Sequence, residues 1–430
     1  MADITLQIAI ALFGACAVGV ARRVTGVWVN PLSIVFGCFF IPMLFSLFRF
    51  SGLQATSWLY ETYVAAWATI GAWLLVPAVL LSARGEVGTV RWGDKPALIH
   101  SREFRLLVRT FALVVLGAYL FGNLIQTGYV FPITHPETAY QVHTVFPPII
   151  RFFARANPAA VVLLYLLFWS QRKRVDLVLM LLVLAVPLSR LSRIDMALSL
   201  VGLAVLFSVI PLFKLTARRA WVLGVLAVAL ILGGAELGNL RTNRFGLYEV
   251  DYATAIAWKP EVTGPASVIP IAYGYFPLSF ENFDQFVRQF NGVHMMGLYS
   301  FDWLFSGVVK LNWLPGFGEM RYLNAKFDPI SSAANVPTAL FPFYADFGPV
   351  GMVLPMMLYA MFWIFCFYKA RESPLFLVLF ALYSGGFALS SFQALIAAPV
   401  LIQQLIEVSL IFWITGRLID RRIGHGNVRS

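Results

Sequence analysis

The chain has 430 residues, of which 60% are hydrophobic and 12% charged, a balance that excludes both an ordinary soluble domain and a disordered chain. Its net charge of +11, from 32 Lys and Arg against 21 Asp and Glu, lies mostly in short segments between apolar runs. There it orients a membrane protein and does not point to nucleic acid. Cys16, Cys38 and Cys366 each sit alone in an apolar stretch, so neither a disulfide framework nor a cysteine metal cluster is indicated.

Residues 1–7 lack the basic segment of a cleavable signal, so the first apolar run is expected to be retained. Eleven runs approach the roughly 20 residues that cross ~30 Å of hydrocarbon. They fall near 4–20, 31–49, 60–82, 106–125, 158–170, 177–189, 195–213, 220–238, 348–368, 375–391 and 399–416. With the segment 83–105 placed inside, the other inside segments carry Arg22 and Arg23, the run Gln171 to Arg174, Lys214 with Arg218 and Arg219, Lys369 with Arg371, and Arg417 with Arg421 and Arg422. All are short and basic, as the resistance of Lys and Arg to translocation requires. The expected fold is an all-α polytopic membrane protein of about eleven transmembrane helices, forming a single integral membrane domain over 1–430. It would lie in a bacterial inner (cytoplasmic) membrane with its amino terminus periplasmic and its carboxyl terminus cytoplasmic.

This arrangement leaves two long outer segments, a first periplasmic loop at 126–157 and a larger one at 239–337. In the first, Pro147 and Pro148 precede Arg151 and Arg155, which fall one helical turn apart on a short interfacial helix opened by proline. Next, Arg190 and Arg193 share a tight turn with Asp195; Ser192 and Asp195 have capping-box spacing, which would aim a helix amino terminus and two guanidinium groups at one anion. The larger loop opens with Arg241 and Arg244 and holds 8 acids, 7 bases and 19 aromatics, a mixture that favours a folded loop with short amphipathic helices. Within it Phe283, Phe286, Val287 and Phe290 recur at helical spacing, with Asp284 and Arg288 as an i,i+4 pair on another face. Outer arginines run against the usual charge bias. Their planar forks suit phosphate oxygens, although any single one also reads as a lipid-headgroup contact.

The stretches Tyr275 to Phe286 and Asn335-Val-Pro-Thr-Ala-Leu-Phe-Pro-Phe-Tyr344-Ala-Asp346-Phe-Gly348-Pro-Val-Gly351 resemble Wzy-type oligosaccharide repeat-unit polymerases, the O-antigen polymerase family. The detailed likeness covers roughly 270–370, and the span layout extends it along the chain; Pro337 and Pro342 depart from the family pattern. The resemblance implies a GT-C-like fold and transfer of a growing glycan from an undecaprenyl diphosphate carrier to another lipid-linked repeat unit at the periplasmic face, in O-antigen or exopolysaccharide biosynthesis. It also implies a chain-length regulator as partner, besides membrane lipids. Asn335, Tyr344, Asp346 and Gly348 are the family-motif residues.

Such a reaction needs cationic groups for the departing diphosphate and an acceptor for the proton of the attacking hydroxyl. Arg151, Arg155, Arg190, Arg193, Arg241, Arg244 and Arg288 are the candidates for the first role. His294, Glu281 and Asp302 are those for the second; His294 is favoured because imidazole changes charge near neutrality, against the bland reading of an interfacial histidine bonded to backbone. No carboxylate cluster suggests a metal, and no cofactor is expected. Asp346-Phe347-Gly348 lacks every companion of the kinase magnesium motif and reads better as a helix-entry turn. Trp258, Tyr273, Tyr275, Tyr299, Trp303, Trp313 and Tyr322 stack on sugars or, for most of them, form the interfacial belt. Two other functions stay open. An O-antigen ligase shares the same outer plan, and a lipid-glycan flippase or secondary transporter would use Glu407, an acid inside the last apolar run beside Gln403 and Gln404, unless that acid simply bonds to a neighbouring span.

Overall fold

The structure, a computed structural model, describes residues 2–83, 97–126, 128, 131, 147–190, 192–210, 254, 256–261, 268–309, 327–331 and 336–426. Among these residues the regular elements are helices: α1 (Ala2–Thr25), α2 (Pro31–Ser46), α3 (Tyr60–Ser82), α4 (Arg102–Gln126), α5 (Pro148–Ala154), α6 (Asn157–Gln171), α7 (Arg174–Ala185), α8 (Arg193–Val209), α9 (Val268–Tyr275), α10 (Leu278–Gln289), α11 (Leu340–Gly351), α12 (Val353–Lys369), α13 (Pro374–Ala388) and α14 (Pro399–Gly426). An isolated antiparallel bridge joins Ser51 to Trp258.

Helices occupy ten of the eleven expected apolar runs, and the eleventh, 220–238, lies outside the described residues. Among the described residues, four helices (α1, α3, α4 and α14) are long and apolar enough to cross a membrane. The number rises to six if each bent pair is one span: α5 with α6, bent by 44°, and α11 with α12, bent by 118°. The helices α2, α8 and α13 are shorter apolar pieces. Proline explains several of the irregularities. A π-helical turn, Phe36–Phe40, precedes Pro42 in α2, and another, Gly71–Leu75, precedes Pro77 in α3. Each proline removes a main-chain donor, and the helix widens by one residue in the turn before it.

The first of two compact units comprises Met1–Gly88, Gly246–Phe365 and Gly386–Leu401. Its α2 begins with a complete capping box: Asn30 accepts from the Ser33 N–H at 3.1 Å and Ser33 Oγ accepts from the Asn30 N–H at 3.0 Å, with Pro31 at the first helical position. Helix α1 packs on α2 at Gly14, where an added Cβ would lie 1.8 Å from the Phe36 ring. The core is aromatic. Trp73 meets Phe39 and Phe387 edge-on at 4.9 and 5.3 Å, Phe39 meets Phe280 at 5.2 Å, and Trp363 stacks on Phe387 at 4.0 Å.

The second unit comprises Thr89–Phe245, Cys366–Gly385 and Ile402–Ser430. Helix α6 is apolar on all sides and buried through its first three turns, the pattern of a central helix. Asn157 at its start donates to Val183 O on α7 at 2.6 Å and accepts from Ser199 Oγ on α8 at 3.3 Å. Arg109 on α4 pairs with the buried Asp176 on α7 at 2.6 Å. Such polar links matter where lipid is as apolar as leucine and association rests on fit and hydrogen bonds.

Candidate functional site

Helix α10 carries a dense polar network in the first unit. One face, with Phe283, Phe286 and Val287, is buried, and Phe286 packs on Phe341 at 4.7 Å. The other polar groups point back to the chain between α2 and α3. Glu281 is buried, and its Oε1 accepts from Arg49 Nη1 at 2.7 Å, Trp58 Nε1 at 2.6 Å, Gln54 Nε2 at 3.1 Å and Ser46 Oγ at 3.4 Å. Arg49 also pairs with Asp3 at 3.3 Å, and Asp3 accepts from the Tyr63 hydroxyl. Burial pushes the Glu281 carboxyl above its ordinary range, while Arg49 and the bonds from Trp58 and Gln54 pull it back. Asp284 accepts from Leu59 N and Thr62 Oγ1 at 2.7 Å each, and from Arg288 Nε at 2.7 Å. Arg288 Nη2 donates to Ser57 O at 3.0 Å. Glu281 and Arg288 are thus both engaged within the fold, Glu281 as an anchor and Arg288 as half of the expected i,i+4 pair.

His294 has a different setting. The chain from Val293 to Phe301 lies along the bend of α11: Met295 N donates to Ala345 O at 3.1 Å and Met296 N to Asp346 O at 3.2 Å. The buried Asp346 carboxylate in turn accepts from Tyr299 N at 3.1 Å and Ser300 N at 2.5 Å. Asp346 therefore caps a turn, but the turn belongs to the preceding loop and not to its own helix. Gly348 has φ 70° and ψ −177°, and a Cβ there would stand 3.1 Å from His294 Cε1 and 3.2 Å from Nε2. Phe290 flanks the imidazole at 5.1 Å and itself meets Tyr344 at 5.5 Å. His294 is exposed, on a mount made of Tyr344, Asp346 and Gly348. This arrangement can present an imidazole nitrogen to a hydroxyl at a fixed place. Asp302, farther along, accepts from Ser306 Oγ at 2.5 Å.

In the second unit, Pro147 and Pro148 open α5 as expected, and Arg155 N bonds Arg151 O at 3.2 Å, which puts the two arginines one turn apart. Arg151 is half-buried and Arg155 exposed. Arg190 closes the 3-10 turn Val186–Arg190 and Arg193 opens α8, but their side chains lie outside the described residues. The expected capping box there does not form. Ser192 makes no bond to the helix amides and instead donates to Asp195 Oδ2 at 2.8 Å, where the Tyr119 hydroxyl donates as well at 3.1 Å. The Ser192 hydroxyl is turned toward the carboxylate it donates to, and its oxygen is not presented as an acceptor to the helix N–H groups. Arg241, Arg244 and Asn335 lie outside the described residues.

Sequence reasoning missed Arg49, Gln54 and Trp58, whose partner lies more than 220 residues away, and Asn282 and Gln289. Asn282 accepts from Ile330 N at 3.0 Å and Gln289 from Asp328 N at 2.8 Å, holding the approach to α11. Polar residues at the end of the second apolar run were the available signal. Of the aromatics, Tyr273 packs on Trp258 at 5.0 Å, and Trp303 Nε1 donates to the Tyr359 hydroxyl at 3.0 Å. Among the described residues no group of three His, Cys, Asp or Glu side chains is placed to hold a metal ion.

The described residues thus define an all-helical chain with several apolar helices of membrane-crossing length, and an exposed imidazole set against Gly348 of α11. No known protein family, curated protein or solved structure matches the chain.

Proposed function

We propose that the chain is a polytopic inner-membrane glycosyltransferase that polymerises undecaprenyl-diphosphate-linked oligosaccharide repeat units at the periplasmic face. The observation that carries this reading is the mounting of exposed His294 on Asp346 and Gly348, residues of the stretch that resembles the polymerase family. In this reading the chain crosses the membrane about eleven times with its amino terminus outside. His294 takes the proton from the acceptor hydroxyl as its oxygen attacks the anomeric carbon of the growing glycan. The bond to the carrier diphosphate breaks, and guanidinium groups stabilise the charge that develops there. Arg151 and Arg155 form one such site, and Arg190 with Arg193 a second. Neither step requires a nucleotide or a divalent metal.

Purified protein given lipid-diphosphate-linked repeat units alone is expected to build a ladder of longer lipid-linked chains. Transfer to lipid A core in place of a ladder would indicate the ligase; proton-coupled flux in vesicles without elongation would indicate the transporter. His294→Ala should slow elongation by about 10²- to 10⁴-fold with the fold intact. Arg190→Lys, which keeps charge and removes the bidentate fork, should also lower it. Unchanged chain growth in both Arg190→Ala and Arg193→Ala would remove that pair from the mechanism.

A further inference from the structure

The break between α5 and α6 leaves main-chain carbonyls without helical donors. Ala156 N bonds Phe153 O at 3.1 Å, passing over Phe152 O, and Pro158 has no N–H to offer Ala154. Two donors arrive from α14. Gln403 Nε2 donates to Phe152 O and Gln404 Nε2 to Arg155 O, both at 2.7 Å. The Gln403 amide also donates to Glu407 Oε1 at 2.7 Å, one turn along its own helix, so the carboxyl fixes which way that amide points. Gln404 and Glu407 are buried, and Gln404 Oε1 and Glu407 Oε2 have no hydrogen-bond partner among the described residues. Placing three polar side chains in an apolar helix, two of them buried, is unfavourable unless their bonds hold something in place. What they hold is the turn that carries Arg151 and Arg155.

We propose that Gln403, Gln404 and Glu407 are positioning residues for a diphosphate site on Arg151 and Arg155. Their amides set the angle of the α5–α6 break and so aim the two guanidinium groups, with Glu407 acting through Gln403. This inference rests on the reading of that arginine pair as an anion site. It also gives Glu407 a role other than an ion path: what the role needs from position 407 is an acceptor oxygen, not a charge.

The test uses the full chain in lipid nanodiscs, with farnesyl diphosphate and farnesyl monophosphate as probes and amide hydrogen exchange over residues 149–160 as the structural readout. Gln403→Met and Gln404→Met keep length and shape while removing the donors; Glu407→Leu removes the acceptor and Glu407→Gln keeps it. The first three are expected to speed exchange at the break and to weaken diphosphate binding, each by about tenfold, with a smaller effect on the monophosphate. Glu407→Gln should stay within about twofold of the parent, because its amide oxygen still accepts from Gln403. Unchanged exchange, or faster exchange with the preference for diphosphate intact, overturns the inference alone, provided that Arg151→Ala with Arg155→Ala abolishes diphosphate binding. If that double variant binds diphosphate normally, the anion-site reading itself fails and the inference goes with it.

Discussion

Gly348 combines φ 70° with ψ −177°, a region open to glycine and closed to residues with a Cβ. Gly348→Ala should therefore lose about 1–3 kcal/mol of stability from the backbone alone. It should also displace the His294 ring that a new Cβ would crowd. Thermal unfolding together with the reactivity of His294 toward diethyl pyrocarbonate checks both effects; an unaltered imidazole would show that the mount does not set its position. Glu281 carries a pH dependence. Because burial raises its folded-state value, the folded chain holds the carboxyl proton more tightly than the unfolded one. The corresponding stability is complete below the unfolded value and declines as pH rises through the folded one. Comparing Glu281 with Glu281→Gln by thermal unfolding between about pH 4 and about pH 8 should show the parent losing ground as pH rises; a constant difference would contradict the raised value.

Among the elements, α10 was the most legible. Its apolar face and its Asp284–Arg288 pair follow from a 3.6-residue period that needs only near neighbours. What Glu281 binds was not legible, since Arg49, Gln54 and Trp58 become neighbours only through the tertiary fold. The apolar runs were legible as helices for the same local reason, but their straightness was not. Pro42, Pro77 and Pro349 interrupt main-chain bonding, and whether a helix widens or turns sharply depends on what packs beside it. The π-helical turn of α3 illustrates this. Trp73 within it donates to Met356 O at 3.2 Å and fills the space between Phe39 and Phe387. Trp73→Ala should cost about 3–5 kcal/mol, measurable as a lower midpoint in detergent. A loss well under that range would mean that the widened turn collapses into the gap.

At the scale of the molecule, sidedness is the quantity on which the functional reading depends. Cysteine introduced at position 151 or position 294 of a cysteine-free background is expected to react with an impermeant reagent in intact cells. Cysteine at position 172 or position 421 should react only after lysis, because the proposed topology puts those positions in basic inside segments. Labelling of position 151 or 294 from the cytosol alone would remove the outer arginines and His294 from any lipid-diphosphate chemistry.

The bond between Arg109 and Asp176 bears on how such a chain is made. The two residues are 67 positions apart, so when α4 leaves the ribosome the carboxylate that its arginine pairs with has not yet been made. At about 5–20 residues per second, the partner carboxylate follows only several seconds later. On the proposed membrane topology, α4 waits through that interval with its guanidinium hydrated near the headgroups until α7 emerges. On that topology the contact between α4 and α7 is completed by neutralisation only after α4 has been made, and a ribosome stalled between the two helices would leave an arginine-bearing segment without its counter-ion.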